Sequence, residues 1–199
     1  MLPRRMRAVI SPDTAVDPRK KNFLTEAEVE GLLKAARKGR HRVRNYAMLL
    51  VAFRHGLRVS ELINLRMADL DLNTGRLFVR RLKGSLSTSH PLEGDEIRAL
   101  RAWLRQRINA PCCNSPLVFV SERGPMTRQA FNYICSKIGK CAKLSINVHP
   151  HILRHSCGFA LANKGCDTRL VQDYLGHRNI THTQIYTRTA AVRFEGLWD

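Results

Sequence analysis

Side chains that could act together on a phosphate are concentrated in the last quarter of the chain. Three segments carry them: HPHILRHS (149–156), LVQDYLGHRN (170–179) and HTQIYT (182–187). If the first segment is helical, His151 and Arg154 share a face, so an imidazole and a guanidinium point into one small volume. His177 follows a further helical pattern, and the phenol of Tyr186 comes nine residues later. We expect these four side chains to converge on one phosphate-binding site.

The charge of the chain indicates a polyanionic partner. It has 34 Lys and Arg against 16 Asp and Glu, a net charge of +18 and a pI near 10.6. Nucleic acid is the commonest such partner, because each neutralised phosphate releases condensed counterions. A ribosomal protein or a protein of anionic membranes would carry similar charge, so the charge selects a class of partner and no activity. The 199 residues suffice for one compact domain with a real core.

The cysteines and the apolar pattern favour a reducing compartment. Six cysteines are present, but the start of the chain has no apolar signal segment and no two cysteines form a C-x-x-C pair. No run approaches the roughly 20 apolar residues that cross a bilayer. We expect reduced thiols and a cytoplasmic, nucleoid-associated protein that does not enter the membrane.

Residues 1–22 are predicted to form a basic N-terminal arm, ahead of a folded domain over 23–199. The arm places prolines among basic residues, which favours an extended segment; its first three arginines are Arg4, Arg5 and Arg7. Such an arm could track DNA phosphates or remain a solvated tail. Order begins at Thr25, which forms a capping box with Glu28 three residues later.

The segment around Arg58 is predicted to carry a charged pair between two helices. Apolar residues recur at helical spacing from Tyr46 to Phe53, and this helix ends near Gly56. Arg58 then opens a helix with the sequence VSELINLR, in which Glu61 can stay close to it. Taken alone, an arginine at the start of a helix is usually a solvated surface charge.

A hairpin and two further helices are predicted in the middle of the chain. The turn DLNTG (71–75) precedes an alternating strand, RLFVRRL, whose return strand is 87–92, with Lys83 at the turn between them. The segment 95–106 is helical, with apolar residues on one side and arginines on the other, and those arginines are either solvated or contact phosphates. Thr127 caps a helix that runs to about Lys140.

Several separated motifs resemble the catalytic signature of the tyrosine recombinase (phage integrase) family. They are H-x-x-R, L-G-H and I-Y-T in the last quarter, and G-L-R-V-S-E-L at 56–62. The likeness runs from about Thr25 to the end, and RLKGSLSTSHPL and QDYLGHRNITHT are similar to the small fimbrial phase-variation invertases. The resemblance implies an α+β fold, mostly α-helical, with a small antiparallel sheet.

Arg58 and Arg154 are the predicted phosphate ligands. In-line attack on a phosphodiester builds negative charge on its non-bridging oxygens, which forked guanidiniums meet with paired, charge-assisted hydrogen bonds. In the family that the motifs resemble, the first of these arginines binds the scissile phosphate and the acidic residue three positions later supports it. Glu61 fits that supporting role.

Tyr186 is the predicted nucleophile. A phenol has a pKa of about 10 in water, so it needs a cationic site or a base, and His151 could supply the base. The resemblance implies that a hairpin lysine, here Lys83, protonates the leaving oxygen, and we expect His177 to bond the phosphate or brace the tyrosine. The implied product is a 3′-phosphotyrosyl bond, formed without metal or nucleotide cofactor.

The resemblance also implies how the protein would work on DNA. The substrate would be a segment between inverted repeats, held by four protomers, and Arg128 is a further candidate for DNA contact. Fewer than thirty residues precede the first helix, so a separate N-terminal core-binding domain of on the order of 100 residues is not expected. We therefore expect weak binding by a monomer, cooperative loading and help from DNA-bending host proteins. The C-terminal segment AAVRFEGLWD would dock on a neighbour or fold onto its own domain.

Three alternatives remain open at the level of sequence. The segment 160–177 could be a helix-turn-helix with Gly165 at its turn, which would make the protein a DNA-binding transcriptional regulator without catalysis. A type IB topoisomerase would share the tyrosine chemistry. Three histidines, at 149, 151 and 155, invite a metal site, but no acidic ligand is near and Arg154 would repel a cation, so we predict none.

Overall fold

The computed structural model describes residues 21–81, 86–188 and 190. Three sets of predictions lie outside these ranges. They are the N-terminal arm with Arg4, Arg5 and Arg7, the hairpin turn with Lys83, and the C-terminal segment from 191 onward.

Three helices form the first part of the fold. Helix α1 (Glu26–Ala36) begins at the predicted capping box, in which the Thr25 hydroxyl accepts from the Glu28 amide. Helix α2 (Arg42–Arg54) is buried without interruption from Ala47 to Ala52, because other helices cover it on more than one side. Helix α3 (Val59–Ile63) follows after a sharp turn at Gly56, whose φ of +54° favours glycine.

A small antiparallel sheet comes next, as the sequence predicted. Its strands are β1 (Leu70–Asp71), β2 (Arg76–Val79) and β3 (Thr88–Pro91), in the order β1-β2-β3. Leu77 and Val79 are buried while Arg76 and Phe78 are exposed, so the alternation sets which face meets the core. A two-stranded ribbon, β4 (Val120–Ser121) with β5 (Gly124–Pro125), follows later.

Five more helices complete the described fold. They are α4 (Gly94–Arg107), α5 (Arg128–Cys141), α6 (Pro150–Asn163), α7 (Thr168–Leu175) and α8 (Thr181–Thr187). Local signals set their ends. Thr127 caps α5 by accepting from the Ala130 amide, and Pro150 occupies the first turn of α6, where its missing N–H costs no hydrogen bond. The α+β class and its helical majority are confirmed.

The apolar interior has two parts, and the second belongs to the C-terminal helices. The main core surrounds α2, while Cys157, Val171, Leu175 and Tyr186 form a smaller cluster among α6, α7 and α8. This cluster fixes α8 against α6. Among the described helices, none is long and apolar enough to span a membrane.

Candidate active site

Arg58 and Arg154 are brought to one place by three different elements. Arg154 lies on α6, is 4% exposed, and donates to the carbonyls of Gly56 and Leu175. Arg58 stands at the start of α3 and donates to the carbonyl of Gly176 at 3.2 Å. Both guanidiniums therefore bond to the carbonyls that end α7.

Glu61 is the buried carboxylate that holds these arginines together. One oxygen accepts from Arg58 Nη1 at 2.7 Å, the other accepts from Arg81 Nη1 at 2.7 Å, and Arg154 Nη1 lies 4.0 Å away. Its side chain is 1% exposed. The sequence predicted the contact with Arg58, whereas the contacts with the other two arginines depend on the fold.

Arg81 is a site residue that the sequence motifs do not include. Its side chain is fully buried and also donates to the carbonyl of Tyr174 in α7. The strand pattern could have indicated its burial. Leu77 and Val79 face inward, and the same alternation two residues later turns Arg81 inward. Arg81 ties the chain just after β2 to the carboxylate of Glu61.

The crowding of positive charge shows in the pKa of Arg154. Burial, together with the neighbouring charges of Arg58 and Arg81, lowers this pKa to about 10, against the opposing effect of Glu61. A site with this surplus of positive charge favours an anion.

Tyr186 is buried beside this cluster. It lies on α8, is 1% exposed, and its ring packs on α6 at Gly158, where a Cβ would fall 2.6 Å from Cε2 of the ring. Burial raises the pKa of Tyr186 to about 12, although the charge of Arg154 acts in the opposite direction. The phenol is therefore protonated in the free protein.

His177 lies against the tyrosine, after the end of α7. Gly176 closes that helix with φ +65°, a conformation that favours glycine. The His177 ring then stacks near Tyr186, with centroids 6.2 Å apart, and its Nδ1 lies 2.9 Å from Thr183 Oγ1. Burial lowers the pKa of His177 to about 3, assisted by Arg154 and Arg58, so the imidazole is neutral.

His155 contacts the phenol, although its sequence pattern suggested only a role as a metal ligand. Its Nδ1 lies 2.9 Å from Tyr186 Oη. His151 is exposed and its ring centroid lies 6.2 Å from that of His155. The sequence spacing could have indicated that His155 joins His151 near the site, because residues four apart lie on one helix face.

The predicted DNA contact, Arg128, lies on the surface of the described fold. Arg128 is exposed at the first position of α5. Across the described ranges, no group of three or more His, Cys, Asp and Glu side chains is placed to hold a metal ion.

Comparison with known proteins decides the family. The phage integrase family profile matches residues 22–193. The chain belongs to the phage integrase family. It is 53% identical over 184 residues to the type 1 fimbriae regulatory protein FimB of Escherichia coli K12, covering 92% of each chain. It is 46% identical over 182 residues to FimE of the same strain, covering 90% of this chain and 92% of FimE.

Two longer recombinases of known structure share the fold of this chain. XerA recombinase has a TM-score of 0.76 at 31% identity, over 86% of this chain and 62% of XerA. XerH bound to its difH substrate after cleavage has a TM-score of 0.74 at 28% identity, over 87% of this chain and 51% of XerH. This chain is a site-specific tyrosine recombinase, and the comparisons give no support to a non-catalytic helix-turn-helix regulator.

Proposed function

We propose that this recombinase inverts a DNA segment between short inverted repeats and so controls a fimbrial operon. The best support for the fimbrial role is the similarity to FimB and FimE, which are named regulators of type 1 fimbriae and match over nine-tenths of their length. Inversion of a promoter-bearing segment is a way for strand exchange to regulate transcription.

The arrangement of Arg58, Glu61 and Arg154 supports a phosphate-binding role. In the free protein the two arginines donate to backbone carbonyls at the end of α7. A scissile phosphate would take over part of this donation and receive charge-assisted hydrogen bonds on its non-bridging oxygens. Glu61 holds the guanidiniums in place before DNA arrives, so little reorganisation is needed when charge develops.

The observation that carries the proposal is the position of Tyr186 beside that cluster. Its phenol would attack phosphorus in line, and the bond to the 5′ oxygen would break as Lys83 donates a proton to it. His177 would bond a phosphate oxygen or brace the phenol, and His151 lies on the exposed side of α6. The 3′-phosphotyrosyl bond keeps the phosphoester energy, so a free 5′ hydroxyl reseals it without metal or nucleotide cofactor.

The described surface supports DNA as the substrate. XerH was solved bound to DNA, and this chain shares its fold. Arg128, Asn132 and Ser136 follow one another at helical spacing on α5, and the last two line an open groove with His149 and His151 at the start of α6. Arg4, Arg5 and Arg7 would add phosphate contacts.

Assembly is proposed to complete the reaction. Two sites exchange strands through a four-way junction, so four protomers are required, and each must hold a neighbour. We expect a single protomer to bind one half-site weakly, two protomers to bind cooperatively, and DNA-bending host proteins to bring the repeats together. Tight, non-cooperative binding of a monomer to one half-site would contradict this.

The test is recovery of DNA that stays attached to the protein in strong detergent without a crosslinker. We expect attachment at inverted repeats by the wild type, none by Tyr186→Phe, and unchanged attachment by Tyr46→Phe, whose hydroxyl accepts from Arg37 just after α1. Sequencing the attached DNA identifies the switch. Specific binding without attachment, even by His177→Ala with slowed resealing, would favour a non-catalytic regulator.

A further inference from the structure

The contact between His155 and Tyr186 joins the nucleophile to a titratable group that the motifs do not assign. The two residues lie on different helices, α6 and α8, and His155 Nδ1 lies 2.9 Å from the phenol oxygen. His155 is half-buried and its ring meets the tyrosine ring edge-on, with centroids 5.8 Å apart. His151, one turn earlier, is exposed on the outer side of His155.

We propose that His155 accepts the phenol proton when Tyr186 attacks the phosphate, and that His151 carries protons between His155 and solvent. The inference rests on the proposed function, since it concerns the same cleavage step. The O–H bond of Tyr186 breaks as its oxygen bonds to phosphorus, and the proton forms a new bond to His155 Nδ1. The imidazolium then releases the proton from Nε2 towards His151, and the 5′ oxygen takes its proton separately.

The surroundings keep His155 ready to accept. Burial lowers the pKa of His155, and His151, Arg154 and His149 on its own helix lower it further. The imidazole is therefore neutral near pH 7, and its tautomer with the proton on Nε2 presents a lone pair on Nδ1 to the phenol. On the facing helix α8 the titratable group that contacts His155 is Tyr186, whose ring also stacks near His177. A bound phosphate brings negative charge near Arg154 and so makes His155 more basic than in the free protein.

The other two histidines near the phenol are less suited to this step. His151 is one ring further out, 6.2 Å between centroids from His155. His177 directs Nδ1 at the Thr183 hydroxyl, and its pKa of about 3 makes it a weak base. The direct contact with the phenol and the weak basicity of His177 thus favour His155.

The experiment measures the rate of single-turnover formation of the tyrosyl–DNA adduct as a function of pH. The substrate is the DNA sequence recovered in the detergent experiment, with sulfur in place of the bridging 5′ oxygen. A thiolate leaves without a proton, so this substrate bypasses Lys83 and isolates activation of the phenol. His155→Asn places an amide oxygen near the position of Nδ1, which can accept a hydrogen bond but cannot carry a proton. His151→Asn tests the outer histidine. His41→Asn makes the same substitution at the start of α2, where the neighbouring charges are Arg40, Arg44 and Glu122 and none belongs to the site.

We expect His155→Asn to slow adduct formation by about 10²-fold or more near pH 7, the range of general base catalysis. The wild-type rate should rise with pH to a plateau. In His155→Asn the rate should keep rising with pH, because hydroxide removes the proton. His151→Asn should be slower than wild type but keep the plateau, and His41→Asn should match wild type.

Equal DNA affinity and melting temperature among the variants would confirm that only chemistry has changed. The proposal is overturned if His155→Asn keeps the plateau, if its rate fails to recover at alkaline pH, or if His151→Asn is the variant that loses the plateau. Failure of the wild type to form any adduct would instead refute the proposed function.

Discussion

The contact between Gly158 and the Tyr186 ring allows a test of how the nucleophile is positioned. In Gly158→Ala the new Cβ would lie 2.6 to 2.8 Å from three ring atoms. Non-bonded carbons normally approach to about 3.5–4.0 Å, so the ring must withdraw by about 1 Å. A displacement of that size costs about 10²-fold in rate when the reacting atoms must be aligned. We expect tyrosyl–DNA adduct formation to slow by this factor while DNA affinity is kept.

The stability of Gly158→Ala should change less than its rate. Overpacking costs about 1–3 kcal/mol, and replacing a glycine inside a helix returns about 1 kcal/mol. The matched control is Gly31→Ala in α1, where a Cβ has no atom within 4 Å, so this variant should be slightly more stable and fully active. Adduct formation at the wild-type rate in Gly158→Ala would refute the positioning argument.

Three further changes test the cluster and its titration. Glu61→Gln should lower the free energy of unfolding by about 3 kcal/mol in urea titrations, because it leaves buried guanidiniums unpaired. Inorganic phosphate should raise the free energy of unfolding of this variant more than that of the wild type, and an equal rise in both would contradict this. Gly176→Ala should be destabilised and poorly active, since its φ is +65° and a Cβ would fall 2.8 Å from Arg81 Nε; wild-type melting and adduct formation would argue against this packing. His90 is a buried residue of β3, and burial lowers its pKa, like that of His177, to about 3. These histidines therefore take up protons in the unfolded chain first, as pH falls below about 6.5. Stability should therefore be complete above that pH and decline below it, with about 2 kcal/mol lost by pH 5 from His90 alone; urea titrations showing rising stability towards pH 5 would exclude this.

Much of the local structure could be predicted because its signals are local. The capping box at Thr25, the proline at the start of α6 and the glycine after α7 each set the end of a helix by its own chemistry. The pair of Arg58 and Glu61 was predictable for the same reason, since three residues along a helix place the two side chains together.

The parts that escaped prediction depend on how distant elements meet. Arg81 reaches Glu61 across 20 residues of chain, and His155 meets Tyr186 across 31. Periodicity indicates that Arg81 turns inward and that His155 shares a face with His151, but it does not specify which side chain lies opposite. The packing of α8 on α6 decides that His155 contacts the phenol.

The charges around Glu61 have a consequence for which state of the phosphate the site favours. Three guanidiniums and one carboxylate leave a surplus of two positive charges, while the adjacent His155 and His177 are neutral near pH 7. A resting phosphodiester neutralises half of that surplus. The five-coordinate species formed by in-line attack carries two negative charges, which match the surplus of the three arginines and Glu61, while the phenol proton adds one positive charge at His155. Binding is therefore strongest at the top of the barrier, which is the condition for catalysis, and a trigonal-bipyramidal dianion should bind this site better than a DNA phosphate does.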